Sequence, residues 1–177
     1  MKLVTLILLL LIAIHSAWGQ DYYINIESND TTIITEPSWC NDFDDETIFS
    51  VALLKHFSDS DTRYFIQVSL SEEQAILIPE GARAYWVLDN DSVINMVVYR
   101  EAISSQEATF EGSNVMNRMV VNAFYSISQS DLLATFKGVK RVRIERDNSY
   151  YEKFFREDRI GHALQRMYNV ISEIKTN

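Results

Sequence analysis

From Arg63 to Leu70 the chain alternates, with Tyr64, Ile66, Val68 and Leu70 on one face and Arg63, Gln67 and Ser69 on the other. Successive side chains of an extended chain point to opposite sides, so this period of two marks a strand with one buried face. A buried face needs partners, and the neighbouring segments supply them. Ile48 to Lys55 is apolar on both faces and suits a central strand. Ser58-Asp59-Ser60-Asp61 between the two has the chemistry of a hairpin turn. A second hairpin is expected from Arg83–Leu88 to Val93–Tyr99 around Asp89-Asn90-Asp91-Ser92. Arg118 to Ile127 is a further strand, with Met119, Val121, Ala123 and Tyr125 on one side. Ala75–Ile78, Tyr22–Ile26 and Thr31–Thr35 are shorter strand candidates, and residues 103–113 read as a loop with an edge strand near Phe110.

The last third changes period. Ser128-Gln129-Ser130-Asp131 has the form of a capping box, Leu132, Leu133 and Phe136 give a short helix its apolar side, and Gly138 suits its stop. Val139 to Arg146 then alternates as a strand, with Val142 and Ile144 inward and Arg141 and Arg143 on the other face. Tyr150 to Phe155 is a strand or turn. Ile160, Ala163, Leu164, Met167, Ile171 and Ile174 recur at three and four residues, which predicts a helix capped by Asp158. Strands followed by a packing helix indicate an α+β fold: an antiparallel β-sheet or sandwich of about seven to nine strands, with a short helix and a C-terminal helix packed on it.

Residues 1–19 predict export rather than structure. Met1-Lys2 is followed by an unbroken apolar run from Leu3 to Ile14, and His15-Ser16-Ala17-Trp18-Gly19 places small residues at −3 and −1 of a cleavage site before Gln20. That is the layout of a signal peptide, shorter than the roughly 20 apolar residues of a membrane span. No membrane span is expected after cleavage, and the destination is periplasmic or extracellular. Residues 20–177 are read as a single globular α+β domain, of a size that supports its own core without staples. Cys40, the one cysteine, has no partner within the chain and reads as a small buried hydrophobe.

Tyr125-Ser126-Ile127-Ser128, then Leu132-Leu133, Phe136 and Val139-Lys140-Arg141-Val142-Arg143-Ile144 is similar to a pattern in small uncharacterised secreted proteins of Bacteroidetes-type bacteria. Gln20 after an Ala-x-Gly cleavage site resembles their export signals. The resemblance implies no activity.

Charge is unevenly spread. Residues 20–136 carry 5 basic and 19 acidic side chains, whereas residues 137–166 carry 9 basic and 5 acidic. The overall acidity disfavours nucleic acid as a partner. The basic stretch either relieves the self-repulsion of an acidic body or faces an anionic partner. Catalytic signatures are missing: there is no G-x-S-x-G, H-E-x-x-H, phosphate-binding glycine loop or C-x-x-C. A thiol nucleophile would pair Cys40 with His56 or His162, but Asp42, Asp44, Asp45 and Glu46 follow it and disfavour a thiolate. The same acidic run lacks the Gly and Glu of a calcium loop at Thr47 and Leu53. No cofactor is expected. The leading expectation is an exported binding or accessory domain with a protein, peptide or glycan partner, its ligand surface built from Tyr150, Tyr151, Phe155, Arg141 and Arg143. The alternatives are a small hydrolase using Asp42, Asp44 and Glu46, and a β-barrel-like carrier of an apolar ligand.

Overall fold

The computed structural model describes residues 22–27, 30–41, 47–58, 61–111 and 114–174. Its strands in chain order are β1 (Tyr22–Glu27), β2 (Asp30–Thr35), β3 (Ser38–Trp39), β4 (Ile48–Ser58), β5 (Asp61–Glu72), β6 (Leu77–Ile78), β7 (Arg83–Leu88), β8 (Val93–Val97), β9 (Ala102–Ile103), β10 (Ser105–Glu111), β11 (Asn114–Ile127), β12 (Val139–Arg146) and β13 (Ser149–Phe154). The helices are α1 (Gln129–Thr135) and α2 (Arg159–Ser172). The fold is therefore α+β and mostly antiparallel sheet, with a C-terminal helix.

The described strands number 13, in sheets of seven, four and two, which corrects the smaller count expected from the sequence. Three of them, β3, β6 and β9, are two residues long, too short to carry a period. The largest correction is β10, which the sequence suggested as mostly loop. Ser105 pairs with Val120 and the register runs out to Glu111 with Asn114. Its polar sequence suits an edge strand, where one set of backbone groups meets water.

The large sheet has the order β1-β2-β4-β5-β11-β10, with β3 also on β4, and the four-stranded sheet has the order β13-β12-β7-β8. Both expected hairpins form, β4 with β5 and β7 with β8. β4 is central because it is flanked by β2 and β3 on one edge and β5 on the other.

Alternation decides what lies between the sheets. Phe49, Val51 and Leu53 on β4, Ile66, Val68 and Leu70 on β5, and Val121, Ala123 and Tyr125 on β11 point to one buried face of the large sheet. Ala84, Trp86, Ile94, Met96, Val142, Ile144 and Tyr151 are the buried face of the smaller one, and all join one core. The two meet where the Phe49 and Tyr151 rings stack at 6.0 Å and 9°. An ion pair also crosses between them, Arg146 Nη1 donating to Glu72 Oε2 at 2.8 Å, with Thr47 Oγ1 donating to Glu72 Oε1 at 2.9 Å.

Helix α2 packs mainly on β4 and touches β2, β12 and α1. Ile160, Ala163, Leu164, Met167 and Ile171 are buried, as their spacing predicts, while Ile174 lies just past the helix end and is only partly buried. Asp158 Oδ1 accepts from the backbone N–H of Gly161 at 2.8 Å and of Val139 at 3.1 Å, so one carboxylate caps the helix and ties it to β12. At the other end buried Lys55 donates to the Ile171 carbonyl at 3.2 Å, a cation at a helix C-terminus, and burial pushes its ammonium pKa down. Among the described residues no helix is long and apolar enough to cross a membrane.

Candidate functional site

The strand period separates the five residues of the sequence-predicted surface. Arg141, Arg143 and Tyr150 come together on the outer face of the four-stranded sheet. Tyr151 does not join them, because the residue after Tyr150 points to the opposite face, where it is buried against Phe49. Phe155 also turns inward, with its ring 5.8 Å from that of Phe49. Phe154, which lies outside the expected surface, takes their place on the outer face. Arg141 lies over the Phe154 ring at 5.5 Å and Arg143 over the Tyr150 ring at 4.2 Å. Arg143 Nε donates to Glu152 Oε1 at 2.8 Å and Arg141 Nη1 lies 3.9 Å from the same oxygen. Both guanidinium groups are thus engaged within the sheet, by charge and by ring face.

A concave site lies on the outer face of the large sheet. It is a recess of about 510 Å³ lined by Thr32, Leu54, His56, Arg63, Phe65, Tyr99, Arg100 and Phe124. The register builds it directly: His56 sits between Thr32 and Arg63 in one cross-strand row, and Leu54 beside Phe65 in the next. Tyr99 and Arg100 arrive from the other sheet. After β8 the chain bridges at Val98 to Tyr125, and the next backbone N–H, of Tyr99, donates to the Phe124 carbonyl at 2.7 Å. That crossing lays the Tyr99 ring edge-on to Phe65 at 5.5 Å and 76°, leaving Tyr99 66% exposed.

The recess has an apolar floor of Leu54, Phe65 and Phe124 and a basic rim. Arg63 Nε donates to Asp61 Oδ2 at 2.7 Å, which holds the Asp61 carboxyl below its usual range. Arg100 is exposed and makes no ion pair among the described residues. His56 Nδ1 lies 2.9 Å from Thr32 Oγ1. Among the described residues no carboxylate lines the recess, the nearest being Asp61 in its pair with Arg63, although the chain as a whole carries nine excess negative charges (net −9). The sequence held one signal for it: Phe65 interrupts the polar side of its own strand, between Arg63 and Gln67. Tyr99 and Arg100 gave none, because their approach depends on a crossing between sheets.

Two further concavities are less suited to a ligand. One of about 510 Å³ is lined by Thr47, Glu72, Glu73, Gln74 and Arg118, and its Glu72 is already paired with Arg146. The other, of about 480 Å³, lies beside exposed Trp39 and the start of α2.

Cys40 is buried, its thiol donates to the Ser38 carbonyl at 3.5 Å, and its pKa is pushed up from 9.0 to about 12. Burial is the main cause; Arg159, Arg166 and Lys153 pull the other way. The acidic run invoked from sequence, Asp42 to Glu46, lies outside the described residues, as do the calcium and hydrolase readings that rest on it. His162 is exposed on α2. Among the described residues no group of three or more His, Cys, Asp and Glu is placed to hold a metal ion. Comparison with family models, with curated proteins and with solved structures gives no match to this chain, so its functional reading rests on the chemistry of the recess.

Proposed function

We propose that the chain is an exported binding domain, released after Gly19, whose ligand is a compact anion carried on a flat ring. The observation that supports this reading is the recess on the outer face of the large sheet, where aromatic rings converge with Arg100, which makes no ion pair among the described residues, and with Asp61-paired Arg63. A ring or the apolar face of a sugar lies against Phe65, Phe124 and Tyr99, and a carboxylate reaches Arg100, with Arg63 and His56 beside it. Rings supply the contact area and arginine the directed, charge-assisted hydrogen bonds, a division of labour common to small-ligand sites.

Titration of the mature chain with benzoate and with glucuronate, each against its neutral analogue (benzyl alcohol or glucose), tests the reading by amide chemical shifts. Binding of the anions should move the resonances of β4, β5 and residues 98–100 and leave α2 unmoved. Arg100→Gln should weaken it about tenfold, the scale of one charge-assisted hydrogen bond. Equal response to neutral and charged probes, or none at millimolar concentration, overturns the reading.

A further inference from the structure

The outer face of the four-stranded sheet carries a second message, independent of the recess. Twelve outward side chains stand in three cross-strand rows, read from β13 through β12 and β7 to β8. Phe154, Arg141, Val87 and Val93 form the first row, in which Val87 is already covered by its neighbours at 7% exposure, and Glu152, Arg143, Tyr85 and Asn95 the second. Tyr150 and Glu145 open the third, which Arg83 and Val97 complete, the Arg83 N–H donating to Glu145 Oε2 at 2.9 Å. The corners are apolar and open to solvent: Phe154 is 65% exposed, Tyr150 56%, Val93 56% and Val97 45%.

This pattern is more fully complementary to itself under one axis than under the other. A two-fold axis parallel to the strands keeps each row opposite itself and reverses the strand order. Phe154 then meets Val93 of the second copy, Tyr150 meets its Val97, Arg141 its Val87, Arg143 its Tyr85, Glu152 its Asn95 and Glu145 its Arg83. Every apolar corner finds an apolar corner, Glu145 finds a cation and Arg143 finds a ring. The two-fold axis perpendicular to the strands keeps the columns and reverses the rows. It also pairs the apolar corners and sets Arg141 against Glu145, but it places Arg143 against Arg143 and Glu152 against Glu152 at the centre, a like-charge contact that the Arg143–Glu152 pair within each copy softens and that the parallel axis does not make.

We infer that this face docks a second copy of the chain, about a two-fold axis parallel to β12 and β7. Four strands spaced about 4.8 Å apart, over three rows, give a flat area of roughly 400 Å² per copy. That is about half the ~800 Å² per partner of a standard stable interface, so the dimer is concentration-dependent and not obligate.

Sedimentation of the mature chain from about 5 to 500 µM reads this directly, a range suited to an interface below standard size. The wild type should shift toward the dimer as concentration rises. Val93→Glu and Phe154→Lys each change an exposed corner, so the fold survives, and the melting temperature verifies it. Each variant alone should stay monomeric. Mixed in equal amounts they should associate again, because the introduced carboxylate of one chain then meets the introduced ammonium of the other. Arg100→Gln, in the crossing segment after β8 at the recess and outside the twelve positions of this face, should associate like the wild type. A wild type that is monomeric throughout overturns the proposal, and so does a single variant that still dimerises. A mixture that fails to recover overturns the parallel axis, because the face is then used in another geometry. A monomer whose β12 and β13 resonances move only on adding poly-glutamate assigns the arginines to an acidic peptide instead.

Discussion

Tyr125 shows how much one polar atom weighs in a dry core. Its side chain is fully buried, and its hydroxyl makes no hydrogen bond among the described residues. Burial, with Glu145 nearby, raises its pKa well above the ordinary tyrosine value. A buried hydroxyl without a partner keeps its desolvation cost, about 1–3 kcal/mol, while the ring still contributes its packing. Tyr125→Phe should therefore hold or raise stability, by about 1 kcal/mol, in urea unfolding. A loss of more than about 1 kcal/mol would mean that the hydroxyl is satisfied in solution. Cys40 differs. Its buried thiol has an acceptor in Ser38, and a pKa near 12 leaves it protonated and unreactive at neutral pH.

At the scale of elements, α2 is the clearest link between pattern and packing. Its apolar stripe was legible because a helix on a sheet shows one face to the core, so burial repeats at three and four residues. Leu164→Ala and Met167→Ala should each cost roughly 2–5 kcal/mol, since both are fully buried and leave cavities. Gln165→Ala, on the exposed side, should stay within about 0.5 kcal/mol. Equal losses in chemical denaturation would show the helix to be rotated from this phase. Most of the strand Ser105–Glu111, beyond the edge strand expected near Phe110, was illegible for the opposite reason. An edge strand with few apolar residues leaves no buried face to imprint a period, and its existence depends on the free edge of β11.

For the molecule as a whole, the thiol and phenol groups raised by burial predict a weakness at high pH, which buried Lys55, lowered in the same range, offsets only in part. Cys40, Tyr64, Tyr125 and Tyr151 are all raised, chiefly by burial, so each is neutral in the folded chain over a range where it ionises when unfolded. The sign follows. With the folded pKa above the unfolded one, the stabilisation is fully present below about pH 9 for the thiol and about pH 10 for the tyrosines, and it falls as pH rises through the folded values. Each group adds a slope of up to about 1.4 kcal/mol per pH unit. The melting temperature should hold steady to about pH 9 and then drop steeply, with a shallower onset in Cys40→Ala. A curve that the variant leaves unchanged would place Cys40 outside the core.

Local chemistry written in the sequence determined which segments are strands and helices and which way their side chains face: the alternation of Arg63–Leu70, the cap at Asp158, the stripe of α2. It also placed Arg141 and Arg143 on one outward face, since a period of two assigns faces without any knowledge of neighbours. Tyr151 and Phe155 were misassigned to that face because their aromatic character outweighed their position, and position decides. Only the tertiary structure decided the recess. Its floor comes from β4, β5 and β11 and its wall from residues that cross over after β8, so its members are separated along the chain by up to 92 positions, from Thr32 to Phe124. Nothing local joins them. They meet because two sheets burying their apolar faces against each other leave the connection between them on the outside, with Tyr99 and Arg100 on it.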